Sequence, residues 1–313
     1  MRLIALLCCV LALTGRPEGR AQNAQDKQPS QTNRTRSAPA PVVSDVLATQ
    51  VALDRLGFSP GEIDGRRGKN LDRALAAYKQ GHEEELSLLG DMPPLVDYAI
   101  TDADIAGPFT ADIPANLPDQ AALDSLNYRT PLELIAERFH SSPALLQQLN
   151  PQATFQKAGE HIMVPNVGTA APPAAPQDIT VVVTKSTSAL TIEDAKGQVL
   201  FHAPVTSGST HDPLPIGTWK VNGVQRNPKF HYNPQLFWDA TPGDRKATLQ
   251  AGPNNPVGVV WIDLSKPHYG IHGTPEPSKI GHVESHGCVR LTNWDAERVA
   301  AWVKPGTRVV FKE

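Results

Sequence analysis

Between Val46 and Phe58 the apolar positions recur at helical spacing and stop at Gly57. A tight turn at Gly61-Glu62-Ile63-Asp64-Gly65 follows, and Asn70 is placed to cap a second helix whose Leu71, Leu75 and Tyr78 share one face. This pattern predicts a small helical domain over residues 42–82. From 83 to 124 prolines interrupt a weak periodicity, which reads as a connector. Order returns near Leu126-Asn127-Tyr128. Thr130-Pro131-Leu132-Glu133 combines a capping threonine, a first-turn proline and a glutamate three residues after the cap, ahead of Leu132, Ile135, Ala136 and Phe139 on one face. Ser142-Pro143 repeats the start signal, Leu145, Leu146 and Leu149 lead to Asn150-Pro151, and residues 161–165 read as a strand. Residues 125–167 are therefore expected to form a small βααβ module.

Residues 168–177 are a Pro/Ala linker, stiffened by its prolines. Beyond it the period shortens to that of strands, at 179–183, 189–192, 199–201, 218–221, 257–264 and 308–311, with turns such as Ala195-Lys196-Gly197 between them. One helix interrupts, with Asn293 as its cap and Ala296, Val299, Ala300 and Val303 facing inward. The expected fold class is multidomain α+β, ending in a mostly antiparallel β domain, sandwich or barrel-like, over residues 178–313.

The N-terminus changes the compartment. Arg2 precedes an apolar run from Leu3 to Leu13, and Gly19-Arg20-Ala21 offers small residues at a cleavage site, so residues 1–21 read as a secretory signal and 22–41 as a polar, disordered tether. The run is about half the roughly 20 residues a spanning helix needs, so no stable membrane insertion is expected after signal removal. Cleavage removes Cys8 and Cys9 and leaves Cys288 as the single thiol, which excludes a disulfide within the mature chain. It also removes three arginines and one glutamate, taking the formal charge from −3 to about −5. No basic stripe suggests nucleic acid.

That lone cysteine stands in Ser285-His286-Gly287-Cys288-Val289-Arg290-Leu291, after Tyr269-Gly270-Ile271-His272-Gly273-Thr274. A thiol of ordinary pKa, about 8.5, needs a base or cation to act as a nucleophile, and His272 and His286 are the candidates. Sequence distance favours His272, because His286 is close enough to obstruct the front of the sulfur. Gly273 can offer a carbonyl to His272 Nδ1–H and fix the tautomer. Gly287 permits close approach, so the N–H groups of His286, Gly287 and Cys288 can converge as an oxyanion hole. Arg290 suits a substrate carboxylate. A zinc site from His272, His282, His286 and Cys288 lacks any cysteine-pair spacing to support it.

These motifs, with Pro215-Ile216-Gly217-Thr218-Trp219 and a following Asn-x-Asp-Ala helix, resemble the L,D-transpeptidase (YkuD) catalytic domain over residues 178–313. The resemblance implies catalytic Cys288, His272 and Gly273, oxyanion donors at His286, Gly287 and Cys288, and substrate-binding Arg290, Ser285, Tyr232 and Trp238, the last two on a lid within 225–252. It implies a thioester on a tetrapeptide stem, release of D-alanine and peptidoglycan cross-linking in the periplasm, with no metal or organic cofactor. Carbapenem-type inhibitors are expected to acylate Cys288. Upstream, Val46, Gln50, Leu53, Gly57, Phe58, Ile63, Asp64, Gly65, Gly68, Ala74 and Leu75 resemble a peptidoglycan-binding domain, and Ile135-Ala136-Glu137-Arg138-Phe139, residues 146–151 and residues 159–165 resemble a LysM module. That module departs from its family at Arg129-Thr130-Pro131-Leu132, where Gly-Asp-Thr-Leu is usual. The implied partners are stem peptides and glycan. Other outcomes of the same chemistry are L,D-carboxypeptidase trimming and attachment of a protein to the wall, and a non-enzymatic peptidoglycan-binding scaffold is the alternative from another class.

Overall fold

A computed structural model describes residues 43–82, 86, 92–168 and 176–313. The expected signal at 1–21, the tether at 22–41 and most of the linker lie outside the described residues. No helix among those described is long and apolar enough to cross a membrane.

Helix α1 (Asp45–Arg55) starts at Ser44, whose hydroxyl accepts the Leu47 N–H at 3.2 Å, and α2 (Lys69–Gly81) follows the Ile-Asp-Gly turn. Asn70 does not cap α2. Gly68 holds that position, and Asn70 Nδ2 instead donates to the Ile280 carbonyl at 2.8 Å. Next come β1 (Leu95–Ala99), α3 (Asp102–Ala106), α4 (Leu117–Gln120), α5 (Pro131–Arg138), α6 (Pro143–Leu149) and β2 (His161–Pro165). Thr130 and Ser142 cap α5 and α6 as their sequence spacing predicts.

The first strand of the βααβ unit is not near Leu126. It is β1, antiparallel to β2 with Leu95 opposite Pro165 and Ala99 opposite His161. The segment expected to be a plain connector thus carries a strand and two short helices. Five residues preceded by Pro93 and Pro94 give too short an alternation to stand out, and the partner strand that stabilises them lies far along the chain. Leu126 has another role, fully buried with Tyr232 and Leu249. The helical and βααβ units also share one core, in which Leu47, Val51 and Ile63 meet Ile135, Leu146, Ile162 and Val164.

The remaining strands are β3 (Thr180–Thr184), β4 (Ala189–Glu193), β5 (Val199–Pro204), β6 (Thr206–Ser207), β7 (Gly217–Arg226), β8 (Phe230–Tyr232), β9 (Ala247–Leu249), β10 (Val260–Leu264), β11 (Gly270–His272), β12 (Val289–Arg290) and β13 (Arg308–Lys312), with α7 (Asn293–Trp302) before the last. Nine of them form one sheet in the order β5-β4-β3-β13-β7-β10-β11-β12-β6. Only β3/β13 and β11/β12 are parallel pairs, so the sheet is mostly antiparallel. The long strand β7 joins two arms, pairing with β13 through Gly217–Lys220 and with β10 through Val221–Arg226. One core serves both arms, uniting Val181, Val183, Leu190 and Ile192 with Ile262, Ile271, Val289 and the inner face of α7.

The N-terminal units are fastened to this domain. Gly57 and Ser59 exchange backbone hydrogen bonds with His202, which covers the edge strand β5. Beneath them Asp54, fully buried, takes a bidentate contact from Arg298 with both bonds at 2.9 Å and lies 3.0 Å from His140 Nδ1. Burial alone raises the Asp54 carboxyl, but Arg298 and His140 overcome it and hold the group well below the usual carboxylate range. Its stabilisation is therefore present above the unfolded carboxyl pKa and is lost as the pH falls below it. Arg298→Ala strands that charge and is expected to lower the unfolding free energy by about 3 kcal/mol or more at neutral pH. Denaturant titration showing a loss under about 1 kcal/mol would mean the fastening is not set by this pair.

Candidate active site

Parallel pairing of β11 with β12 sets Ile271 opposite Val289 and His272 opposite Arg290. Ile271 and Val289 are fully buried in the core. Alternation then turns His272 and Arg290 to the other face, and Cys288, one residue before β12, follows Arg290 to that side. The thiol, the imidazole and the guanidinium thus share one face of two neighbouring strands.

His272 Nδ1 lies 2.6 Å from the Gly273 carbonyl oxygen. A carbonyl only accepts, so Nδ1 carries the hydrogen and the neutral ring presents its lone pair at Nε2. Burial and the charge of Arg290 hold the imidazole down to about 3, against the Gly273 bond. Trp261, opposite His272 on β10, stacks on the ring at 5.5 Å. That packing requires Gly270, where a Cβ would sit 2.5 Å from the indole. Gly273 has a similar constraint, since the Asn293 side chain lies where its Cβ would be, at 2.2 Å. Asn293 is the first residue of α7 and not its cap. Thr292 caps, accepting the Asp295 N–H at 3.2 Å. Asn293 instead accepts from Val259 N–H and donates to Glu137 of α5 at 3.0 Å.

Cys288 is half-buried, and its sulfur contacts the His268 carbonyl at 3.8 Å without a hydrogen bond to His272. Burial raises the thiol above its ordinary range, with Gly270 and Arg290 opposing and Asp212 adding to the rise. At rest the thiol and the imidazole are both neutral. Gly287 has φ +99°, a left-handed backbone in which a Cβ would also meet the Tyr269 ring at 2.9 Å. Among the described residues no acceptor takes up the N–H groups of His286, Gly287 or Cys288, so the turn offers unpaired donors.

Arg290 Nη2 donates to His286 Nδ1 at 3.4 Å, so His286 donates its Nε2–H to Asp239 at 2.8 Å. Asp239 follows Trp238 on the segment between β8 and β9. Trp238 is 57% exposed, stacks on His211 at 4.3 Å and stands 5.7 Å from His286. Two expected substrate contacts are corrected. Tyr232 is 4% exposed, packed on Leu126 and Leu249, with its hydroxyl donated to Asp244 at 2.8 Å, so it braces the 225–252 segment from inside. Ser285 is 3% exposed, accepting the Gly208 N–H and donating to the Cys288 carbonyl, both at 2.7 Å, so it braces the turn. Trp261, Tyr269, Asp212 and Asp239 escaped the sequence reading. Trp261 alone left a signal there, as a large aromatic at the outward position of an otherwise alternating strand. No group of three or more His, Cys, Asp or Glu among the described residues is arranged to hold a metal ion.

Residues 178–311 match the model of the L,D-transpeptidase catalytic domain, YkuD. The family protein YkuD of Bacillus subtilis is 33% identical over 182 residues, covering 58% of this chain and 92% of its own length. The chain belongs to the L,D-transpeptidase family. Another member, YbiS of Escherichia coli, is 35% identical over 115 residues, 34% of this chain and 36% of that protein. Among solved structures, L,D-transpeptidase 3 from Mycobacterium tuberculosis, in complex with a faropenem-derived adduct, aligns over 50% of this chain and 75% of its own with TM-score 0.37 and 17% identity.

For this L,D-transpeptidase family member a neutral resting pair has a kinetic signature. The rate of Cys288 alkylation by iodoacetamide is expected to climb with pH through the ordinary thiol range and beyond, with no reactive plateau at acid pH. A plateau extending below neutrality would show a preformed thiolate–imidazolium pair instead.

Proposed function

We propose that Cys288 attacks the carbonyl of the third residue in a tetrapeptide stem, expels D-alanine and holds the acyl group as a thioester. The observation that carries this is the shared face of β11 and β12, which bears both the thiol and an imidazole whose Nδ1 is already engaged by Gly273 and whose Nε2 is left to take a proton. Arrival of substrate moves the thiol proton to Nε2, and the imidazolium then protonates the departing amine. The N–H groups at 286–288 receive the carbonyl oxygen as it gains charge, and Arg290 holds a carboxylate of the donor. The amino group of a second stem, attacking the thioester, forms a 3→3 cross-link, and water in its place gives a trimmed tripeptide. The reaction runs in the periplasm after signal cleavage, and family membership supports acylation of the same sulfur by carbapenem-type β-lactams.

The N-terminal units serve as a brace in this reading. Asp54, Ser59 and Asn70 each bond to the catalytic domain, and Gln50 bonds to Asp64 within its own unit, which favours packing over glycan capture.

Incubation with purified tetrapeptide muropeptides, followed by mass analysis, tests the assignment. The wild type is expected to yield dimers or tripeptides with free D-alanine, and Cys288→Ala, folded by circular dichroism, neither. Undiminished turnover in that variant would remove the sulfur from the mechanism.

A further inference from the structure

Asp212 lies in the loop between β6 and β7, and this loop is tied to the catalytic turn. Gly208 N–H donates to Ser285 Oγ, and Ser285 N–H donates back to the Gly208 carbonyl at 3.1 Å. Ser209 and Asp212 close the loop on each other, through Ser209 N–H to the Asp212 carbonyl at 2.9 Å and Asp212 N–H to Ser209 Oγ at 3.0 Å. The neighbouring His211 stacks on Trp238, which faces His286. Asp212 is therefore fixed in the wall beside the nucleophile's turn. Its Oδ2 is buried and has no hydrogen-bond partner among the described residues. An acceptor left so is costly to bury.

The placement also works against the nucleophile. After burial, the charge of Asp212 adds to the upward shift of both the Cys288 thiol and the Tyr269 hydroxyl. A carboxylate that both lacks a partner and hinders thiolate formation is explained by a cation that arrives later. In the second half-reaction the attacking amine must come within bonding distance of the thioester carbon, and in water such an amine is an ammonium. The donor's own charged groups have no such need to approach the sulfur.

We propose that Asp212 docks the ammonium group of the acceptor stem next to the Cys288 thioester, and so selects an amine over water as the group that resolves the acyl-enzyme. This rests on the thioester reading above. The N–C bond forms as the C–S bond breaks. Of the two protons the ammonium sheds on becoming an amide, one restores the Cys288 thiol and the other leaves to solvent.

The test uses the full-length protein, tetrapeptide muropeptide as donor and acceptor, and hydroxylamine, which is uncharged at neutral pH, as a competing nucleophile. Asp212→Asn is expected to lower the dimer-to-tripeptide ratio about tenfold, the worth of one charge-assisted hydrogen bond, while the hydroxamate-to-tripeptide ratio falls far less. Ratios are insensitive to the amount of folded enzyme and to the acylation rate. The proposal is overturned if both ratios hold, if both fall together, or if the wild type releases D-alanine but makes no dimer. A wild type that releases no D-alanine removes the thioester reading and this proposal with it.

Discussion

The parallel register between β11 and β12 is the constraint on which the site depends. Ile271 and Val289, both fully buried, pin it from the core side. A slip of β12 by one residue would turn the thiol inward and expose Val289, and the same slip of β11 would turn the imidazole inward and expose Ile271, so burial of apolar surface and alignment of chemistry are the same event. Such small strands cannot hold a register alone. Beta10 lies along the far side of β11, placing Trp261 on His272, and β6 lies along β12, opposite Val289 and Arg290. The two bracing bonds of Ser285 then fold the intervening turn so that Cys288 enters β12 in line.

A second layer of support comes from outside the catalytic domain. Glu137 of the βααβ unit accepts hydrogen bonds from Asn293 and from Tyr128, and Asn293 fills the space that Gly258 and Gly273 leave by having no side chain. Gly273 in turn supplies the carbonyl that fixes His272. Burial raises Glu137 to about 7, with the Asn293 and Tyr128 bonds opposing that rise. A chain of contacts therefore runs from an upstream module to the His272 imidazole. Leu126 and the 110–127 segment do the same for residues 225–252, packing beneath Tyr232 and Leu249, while Asn254 donates to the Asn127 carbonyl.

Features with local causes were readable from sequence, and those with distant causes were not. Helix starts at Thr130 and Ser142 follow from a hydroxyl reaching an N–H three residues on, which spacing alone reveals. Asn70 and Asn293 have the right chemistry for caps, yet each side chain is claimed by a partner far away in the chain. Beta1 went unseen because its stability comes from β2. Around the site, the thiol, both histidines, Gly273 and Gly287 were legible because their chemistry demands particular residue types. Ser285 was legible as a polar group in the motif and Tyr232 as one in the 225–252 stretch, but a hydroxyl in a sequence does not say whether it faces a groove or a neighbouring backbone.

Electrostatics explains why such a site can rest without reacting. Burial disfavours both the thiolate and the imidazolium, so the free protein keeps the proton on sulfur. Arg290 would favour the thiolate, but its guanidinium is also held in the company of Asp239 and Glu276. In the proposed mechanism, proton transfer becomes favourable when a substrate carboxylate engages Arg290 and a carbonyl oxygen reaches the unpaired donors at 286–288, because the negative charge then moves from sulfur to an oxygen that those donors stabilise. Thiol ionisation is in this way coupled to occupancy of the groove. That coupling has a further consequence, since a cysteine kept as the thiol until substrate arrives is slow to react with peroxide or with a stray disulfide.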